Sequence, residues 1–278
     1  IEDWLRETGR TWRTDRTNMD PGITRNAIRL QILPELKRLN RGAERHITDA
    51  AAELAGVERY LEELTGRAYE EAVSCGADMI ITHHPLIYGG VKKISPDDPV
   101  GLAIIKAVSA GIAVYAAHTT ADKVLDGVSG TMARRLGLRD IEVLDQEAEG
   151  IGLGAVGNLE APMESEEFVA WVKKCFGLTV ARCSRPIGIP VSRVAMCGGS
   201  GSSLIRRAMD SGAQAYICGD ISYHHFFTPK NFMLIDIGHF EGEVEICHVL
   251  FSLLRKKFPT FAVRTSSRLG TDNPVHYY

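Results

Sequence analysis

The sequence has no dense cysteine framework and no long apolar run. Its 278 residues include six cysteines, and no two of them form a CxxC pair. In a chain of this size, such scattered cysteines are typical of reduced and mostly buried thiols. A signal-peptide core and the ~20 apolar residues of a membrane span are also missing. We therefore expect a cytoplasmic protein.

Charge of one sign is not in large excess. Lys and Arg together number 32 and Asp and Glu 35, which gives a formal net charge of -3 at pH 7. The apolar fraction of 45% and the charged fraction of 24% are ordinary for a globular protein. This balance does not indicate a nucleic-acid or membrane surface that acts through bulk charge. The partner that we expect is a small-molecule substrate.

Common catalytic signatures are also missing. The chain contains no GxSxG motif, and its glycine-rich stretch "RVAMCGGSGSSLI" is neither a P-loop nor a dinucleotide fingerprint, since it contains neither GKS nor GKT and lacks the GxGxxG spacing. Ser200 and Ser202 have no evident base near them in the sequence, and Cys218 is expected to be a buried thiol. Nucleophilic catalysis is therefore the less favoured chemistry.

The glycine-rich stretch "RVAMCGGSGSSLI" has the pattern of a strand, a tight turn and a helix start. Backbone N–H groups in such a turn can cradle a phosphate. A tight strand-to-helix connection explains the same residues equally well, so both interpretations stay open.

One pattern recurs in "EAVSCGADMIITHH", "KAVSAGIAVYAAHT" and "RAMDSGAQAYICGD". Each stretch has a helix end, a glycine, a short apolar strand and then polar residues. Seven or eight positions after the glycine stand His83, His118 and Asp220. A helix followed by an all-apolar strand, when repeated, predicts parallel strands covered by helices. The predicted fold class is therefore α/β, with two α/β domains and mostly parallel sheets.

Polar side chains follow the predicted strands at the point where each strand ends. His83 and His84 follow "MIIT", His118 and Asp220 end the other two stretches, and His239 ends a fourth strand, "FMLIDIG". In open parallel sheets, ligands bind beyond the carboxyl ends of the strands. Any one of these residues alone would be interpreted as an ordinary loop or core residue. Their joint placement predicts one site at one sheet edge.

The adjacent histidines favour a pair of metal ions. Neighbouring side chains on an extended chain point to opposite sides, so His83 and His84 cannot easily share one ion. Two divalent ions a few Å apart would allow each imidazole to bind its own ion.

Two nearby cations require carboxylate ligands, one of which should bridge them. Asp122 in "HTTAD" and Glu243 in "GHFEGE" each follow a histidine by four positions. Glu241 is a rival to Glu243 with a poorer spacing. Asp236 lies inside an apolar strand, where it is expected to orient a ligand or accept a hydrogen bond.

Four separated motifs resemble one known family. The stretches "ITHHPLIY", "AAHTTADKVLDGVS", "GDISYHH" and "LIDIGHFEGE" are similar to those of the Nif-three-like family, whose members are often labelled GTP cyclohydrolase 1 type 2 homologues. The stretches "RVAMCGGSGSSLIRRA" and "TDNPVHYY" fit the same pattern. The resemblance covers residues 65–278.

The resemblance implies a two-domain α/β fold with a dinuclear divalent-metal centre in a cleft. It also implies a hexameric toroid built from dimers. The cofactor that we expect is two divalent ions per chain, of zinc, iron or manganese. His118 would be an extra ligand or would border the cluster, and His224 in "DISYHH" would act as an acid or base. Glu243 would be the bridging carboxylate. The implied metal ligands are His83, His84, Asp122, His239 and Glu243.

The same resemblance suggests where the domains lie. Residues 1–149 would form an N-terminal α/β domain that carries "THHP" and "HTTAD". Residues 150–278 would carry "GGSGS" and "GHFEGE", and their last segments would complete the metal cleft. Residues 1–64 diverge from the family, because the usual opening helix, "DNVGL"-like segment and first strand are not found there.

Two functions of different class remain open. The first is a metal-dependent hydrolase that acts on a nucleotide or phosphoester, similar to a GTP cyclohydrolase. The alternative is a non-enzymatic metal-binding scaffold or regulatory interaction protein. A third possibility, that the histidines bind nothing, would require five polar side chains to gather at strand ends for packing alone.

Overall fold

The structure is a computed structural model that describes residues 2–11, 16–40, 42–43, 45, 69–267, 269, 273 and 275–276. The chain divides into two compact units, Ile1–Glu63 and Leu64–Tyr278. The domain boundary between residues 149 and 150 remains a prediction; it falls in the turn between two strands of the second unit.

The described part of the first unit is helical and contains no β-strand. Its α-helices are α1 (Glu2–Glu7), α2 (Thr24–Ala27) and α3 (Leu33–Leu39), and a π-helical segment, Ile28–Ile32, joins α2 to α3. Pro34 lies in the first turn of α3. Because proline has no N–H and its ring crowds the carbonyl four residues earlier, a widened turn before it is expected.

The second unit begins with a small parallel sheet. Residues 69–74 are helical (α4), and strand β1 (Met79–Thr82), helix α5 (Pro99–Ala110) and strand β2 (Ala113–Ala116) follow. The Asp98 side chain accepts a hydrogen bond from the backbone N–H of Gly101, and Gly111 ends α5 with a left-handed φ of 68°. These are the usual start and stop signals of a helix. The strands β1 and β2 pair in parallel, with Thr82 opposite Ala116.

The second sheet has six strands in the order β3-β4-β6-β7-β8-β5. Pairs β6/β7 and β7/β8 are parallel, whereas β3/β4, β4/β6 and β5/β8 are antiparallel. The α/β fold class is thus confirmed, with one parallel and one mixed sheet. The strands are β3 (Arg139–Ala148), β4 (Ile151–Met163), β5 (Arg182–Cys183), β6 (Val191–Ser200), β7 (Ala215–Gly219) and β8 (Met233–Asp236).

Helices cover both faces of the six-stranded sheet. In β7, Ala215 and Ile217 pack on one face, and Tyr216 and Cys218 on the other. Successive side chains of a strand point to opposite faces of the sheet, and both faces of β7 are covered. All of its side chains must therefore be apolar, which explains its continuous apolar run. The helices are α6 (Thr119–Asp122), α7 (Val128–Leu136), α8 (Ser165–Phe176), α9 (Ile205–Asp210), α10 (His239–Glu243) and α11 (Ile246–Lys257).

Within the described residues, no helix is both long enough and apolar enough to cross a lipid bilayer.

Candidate metal centre

The carboxyl ends of four parallel strands meet at one place, but they belong to two sheets. His83 follows β1 and His118 follows β2, whereas Asp220 follows β7 and His239 follows β8. The ring centroids of His83 and His118 are 5.3 Å apart, and those of His84 and His239 are 5.5 Å apart. The expectation of a single sheet edge was therefore wrong. The two sheets contribute their ends to one cluster from separate positions in the fold.

The Glu243 carboxylate lies at the middle of this cluster. Its Oε2 atom is 3.1 Å from Nε2 of His84 and 3.1 Å from Nε2 of His239. The same oxygen is 3.6 Å from Nε2 of His83. His239 and Glu243 are four residues apart in α10, so both side chains project from the same helix face. One carboxylate thus faces three imidazoles that come from both sheets.

Asp122 and His118 complete the cluster on the side of the small sheet. Oδ1 of Asp122 lies 3.6 Å from Nε2 of His83, and α6 places this carboxylate one turn after His118. Burial raises the pKa of the Asp122 carboxyl, and the positive charge of His83 offsets only part of that effect. Ring nitrogens of three histidines, His83, His84 and His118, lie within 4.8 Å of one another. A second group has its ligand atoms equally close together and consists of His84, His239 and Glu243.

Hydrogen bonds behind the cluster fix the orientation of two rings. Nδ1 of His83 contacts the carbonyl oxygen of Ala117 at 3.3 Å, and Nδ1 of His239 contacts Oδ2 of Asp220 at 2.7 Å. In each case Nε2 is left facing Glu243, which is the arrangement that metal-binding histidines usually have. Asp220 holds a left-handed φ of 55° at the end of β7. Few residues other than glycine accept this backbone conformation, and asparagine and aspartate do so most readily.

The buried Nε2 atom of His83 indicates what the cluster is suited to hold. This nitrogen is buried and has no hydrogen-bond partner among the described residues, because the carboxylates of Asp122 and Glu243 at 3.6 Å are too distant. Buried polar atoms without partners are rare in folded proteins. Imidazole nitrogens and carboxylate oxygens are the ligands that zinc, iron and manganese use. The residues present therefore fit a divalent-metal site.

The carboxylates and imidazoles of the cluster shift one another's pKa values. Burial alone would raise the pKa of the Glu243 carboxyl, but contacts with His239, His83 and His84 outweigh it and hold that pKa well below its usual range. The hydrogen bond with Glu243 raises the pKa of His239 to about 9; burial opposes this shift and Asp220 adds to it. Burial lowers the pKa of His83, but the neighbouring carboxylates leave it above its ordinary value.

Residues 63–273 match the Duf34/NIF3 (NGG1p interacting factor 3) family. The chain belongs to this family. The matched segment holds every residue of the cluster and begins at residue 63, at the end of the stretch whose sequence diverges from the family pattern.

Relatives and solved structures agree with this assignment. A GTP cyclohydrolase 1 type 2 homolog of Lactococcus lactis is 36% identical over 196 residues, which cover 69% of this chain and 73% of the relative. A NIF3 homolog of Schizosaccharomyces pombe is 31% identical over 194 residues, which cover 65% of this chain and 69% of the relative. A Staphylococcus aureus hypothetical protein has a similar structure, with a TM-score of 0.68 at 26% identity over 76% of this chain and 83% of that one.

The glycine-rich stretch of this Duf34/NIF3 member, at the end of β6, lies directly against the cluster. Gly199 has a left-handed φ of 58°, and a Cβ atom on it would be 2.0 Å from Oε1 of Glu243. The lack of a side chain at Gly199 therefore allows the backbone to approach the central carboxylate. Neither of the two interpretations of the sequence included this contact, and no local signal in the sequence reveals it. A phosphate-binding role for the turn remains a prediction.

Asp236 joins the two strand-end loops of the large sheet. Its Oδ2 accepts hydrogen bonds from the backbone N–H of Ile221 and from the Arg182 guanidinium, each at 3.1 Å, and its Oδ1 accepts one from the N–H of Gly238 at 3.0 Å. These loops lead to Asp220 and His239. The sequence indicated an accepting role for Asp236, but it contained no signal for Arg182.

The remaining candidate residues lie apart from the central carboxylate. Glu241 accepts a hydrogen bond from Asn273 at 2.9 Å. His224 is exposed in a 3₁₀ helix, Tyr223–Phe226, and its ring centroid is 5.6 Å from that of Tyr223. Cys218 is fully buried, and burial raises the pKa of its thiol to about 12, so it is not a thiolate at neutral pH.

Proposed function

We propose that this chain is a metal-dependent hydrolase that binds two divalent ions and acts on a nucleotide or phosphoester. The observation that carries the proposal is the Glu243 carboxylate, which faces three imidazoles. One of them has a buried nitrogen with no hydrogen-bond partner in the part of the chain that the structure describes. Names of relatives such as "GTP cyclohydrolase 1 type 2 homolog" support the substrate class, although a shared fold does not determine a substrate.

The proposed ligands come from both sheets. Glu243 would bridge the two ions, since its carboxylate faces residues of either side. When bound, such a pair of ions lowers the pKa of a bound water and clamps a reacting oxygen. Zinc, iron or manganese suits the donor set. The ligands are His83, His84, Asp122, His239 and Glu243, with His118 at the border of the cluster.

The openness of the cluster favours a catalytic site over a closed structural one. The side chain of His84 is 58% exposed and that of His239 is 37% exposed, although His83 is buried. Structural metal sites are usually closed, whereas catalytic sites keep a position open for water or substrate. The exposure of His84 and His239 therefore favours the hydrolase over the alternative of a metal-binding scaffold.

The first test is the number of transition-metal ions per chain, counted by elemental analysis of purified, tag-free protein. We expect about two equivalents. Values near zero that persist after incubation with zinc, manganese or iron would overturn the metal proposal. Protein with metal bound would then be assayed for hydrolysis of GTP and simple phosphoesters. If protein with its full metal content hydrolyses none of these compounds, the hydrolase proposal fails and the metal-binding scaffold replaces it.

His224 is the proposed acid or base of this reaction. It stands in the segment that follows Asp220, the hydrogen-bond partner of His239. We expect His224→Gln to lower kcat by about 10²-fold with unchanged metal content, as general acid–base residues typically do. His225→Gln is the matched control, because His225 lies on the same short helix and is hydrogen-bonded to Ser222. Equal kcat in both variants would contradict the role of His224.

A cytoplasmic location and a hexameric assembly are also part of the proposal. The family resemblance supports the hexamer. Light scattering on the purified protein should give about six times the mass of one chain, and a monomeric mass would contradict it.

A further inference from the structure

A cavity lies apart from the proposed metal ligands. It has a volume of about 620 Å³ and is lined by residues 183–188, Tyr223 and residues 226–230. None of the proposed metal ligands lines it. Its volume falls within the roughly 300–1,000 Å³ of cavities that hold small molecules in proteins. The cavity is therefore large enough for a compound of nucleotide size.

Aromatic rings form one wall of the cavity. Tyr223 is 69% exposed and Phe227 is 74% exposed, and their ring centroids are 5.5 Å apart at an angle of 83°. The guanidinium carbon of Arg182 lies over the Phe226 ring, 5.1 Å from the centroid of that ring. Large aromatic side chains left in water beside a cavity mark binding surfaces more often than ordinary surface positions do. A planar ring of a ligand would cover them.

The charged residues in the lining are all cationic. Arg185 and Lys230 line the cavity, and no acidic residue does. Neither of these side chains makes an ion pair or hydrogen bond within the part of the chain that the structure describes. Some other cations of the protein are paired, as Lys123 is with Glu147, so what sets these two apart is their place beside exposed rings in one cavity. In a chain of net charge -3, two unpaired cations beside exposed rings favour a ligand that carries negative charge.

The cavity and the metal cluster share one segment of chain. Asp220 binds His239, and Tyr223 stands three residues after Asp220. Three residues span at most about 11 Å, so the backbone of Tyr223, in the cavity wall, lies within that distance of Asp220. Nη2 of Arg182 donates to the carbonyl oxygen of Ile221 at 2.8 Å, which holds the shared segment in place.

We propose that this cavity binds an anionic compound with a planar ring, of the class of nucleoside monophosphates. The ring would lie against Tyr223 and Phe227, and the negative group would face Arg185 and Lys230. The inference rests on the proposed hydrolase function in one respect only, namely that the bound compound is its substrate.

The first experiment measures binding by calorimetry to wild-type protein in EDTA, so that the cavity is tested without the metals. The probes are GMP, guanosine and inorganic phosphate, which separate the ring from the charge. We expect GMP to bind at least tenfold more tightly than either of the others. Equal affinity for phosphate would overturn the ring contact, and equal affinity for guanosine would overturn the charge contact. No binding of GMP at millimolar concentration would overturn the proposal.

Two double variants locate the binding site. Tyr223→Ala with Phe227→Ala, and Arg185→Ala with Lys230→Ala, should each weaken GMP binding at least tenfold. The matched controls are Phe261→Ala, an exposed ring that stacks on Phe258, and Arg206→Ala, a surface cation paired with Asp210. Unchanged affinity in both double variants would overturn the assignment to this cavity.

The metal-site variant Glu243→Gln separates this inference from the proposed function. It should bind GMP in EDTA as tightly as wild type does. If the wild-type protein binds GMP but hydrolyses neither GTP nor phosphoesters at full metal content, the proposed function fails and the binding site in the cavity is retained. If hydrolysis occurs and both double variants behave as wild type, the cavity assignment fails and the proposed function stands.

Discussion

The two parallel strand pairs that lead to the cluster lie in very different surroundings. Strands β1 and β2 form a two-stranded sheet, and Met79 and Tyr115 in it are each 53% exposed. Strands β7 and β8 lie inside the six-stranded sheet, and every residue in them is buried. Strands β1, β2 and β7 follow the same local pattern of helix, glycine, apolar strand and polar end, and β8 shares its apolar run and polar end. Local pattern thus determines where a strand ends, and the surrounding sheet determines how firmly it is held.

This difference extends to the ligands that each pair supplies. On the large sheet, His239 is held by Asp220, and the loops around both are joined by Asp236. On the small sheet, His83 is held by one long contact to a backbone carbonyl, at 3.3 Å. The large sheet therefore presents preorganised groups. The small sheet depends more on what lies between the two, above all the Glu243 carboxylate.

The largest effect should come from removing the charge that both sheets share. We expect Glu243→Gln to lose most of the bound metal, because the neutral amide cannot bridge two cations. Elemental analysis measures the loss. Glu241→Gln is the control, since Glu241 pairs with Asn273, and it should keep its metal. Full metal occupancy in the Glu243→Gln protein would refute the bridging role.

A smaller loss of metal binding should follow from adding a side chain at Gly199, where the backbone lies against the Glu243 carboxylate. Gly199→Ala places a methyl group 2.0 Å from Oε1 of Glu243 at a φ of 58°, so the carboxylate must move. We expect metal affinity to fall at least tenfold, measured by competition with a chelating dye.

Gly177→Ala is the matched control for backbone strain alone. Gly177 has a φ of 68°, and a methyl group there would have open space around it. It should cost roughly 1–2 kcal/mol of stability and leave metal affinity unchanged. If both glycine variants bind metal equally well, Gly199 does not act through Glu243.

The hydrogen bonds that Asp236 accepts at the end of the large sheet can be weakened without changing a proposed metal ligand. Asp236→Asn should lower the free energy of unfolding by about 2 kcal/mol, because charge-assisted hydrogen bonds to a buried carboxylate are lost. Denaturant unfolding measures this change. Asp210→Asn, which removes an exposed pair with Arg206, should change it by less than about 1 kcal/mol. Equal losses would mean that Asp236 does not hold the loops together.

The smallest effect is a pH dependence that belongs to one imidazole. The folded pKa of His239, about 9, lies above its ordinary value of 6.5. In EDTA, its stabilising contribution is therefore full below pH 6.5 and is lost as the pH rises through 9. We expect thermal stability of the wild type to decline over that range and that of His239→Gln to decline less. His248→Gln should behave as wild type, and identical slopes in all three would contradict the coupling.

Several site residues could be predicted because their positions depend on local order in the chain. His83, His84, His118 and His239 follow short apolar strands, and Glu243 follows His239 by one helical turn. Gly199 and Arg182 could not be found in this way, because their partners are far away in the chain. Asp220 was placed at a strand end, but its role as the partner of His239 depends on the packing of β7 beside β8.

By itself, the sequence determined the α/β class, the strand ends, the family and the set of polar residues at those ends. These depend on periodicity and spacing, which act over a few residues. Only the tertiary structure decided that the ends come from two sheets, that the Gly199 backbone lies against the central carboxylate, and that exposed rings and two cations line one cavity. Those contacts join segments that are far apart in the chain, so they exist only once the core has packed.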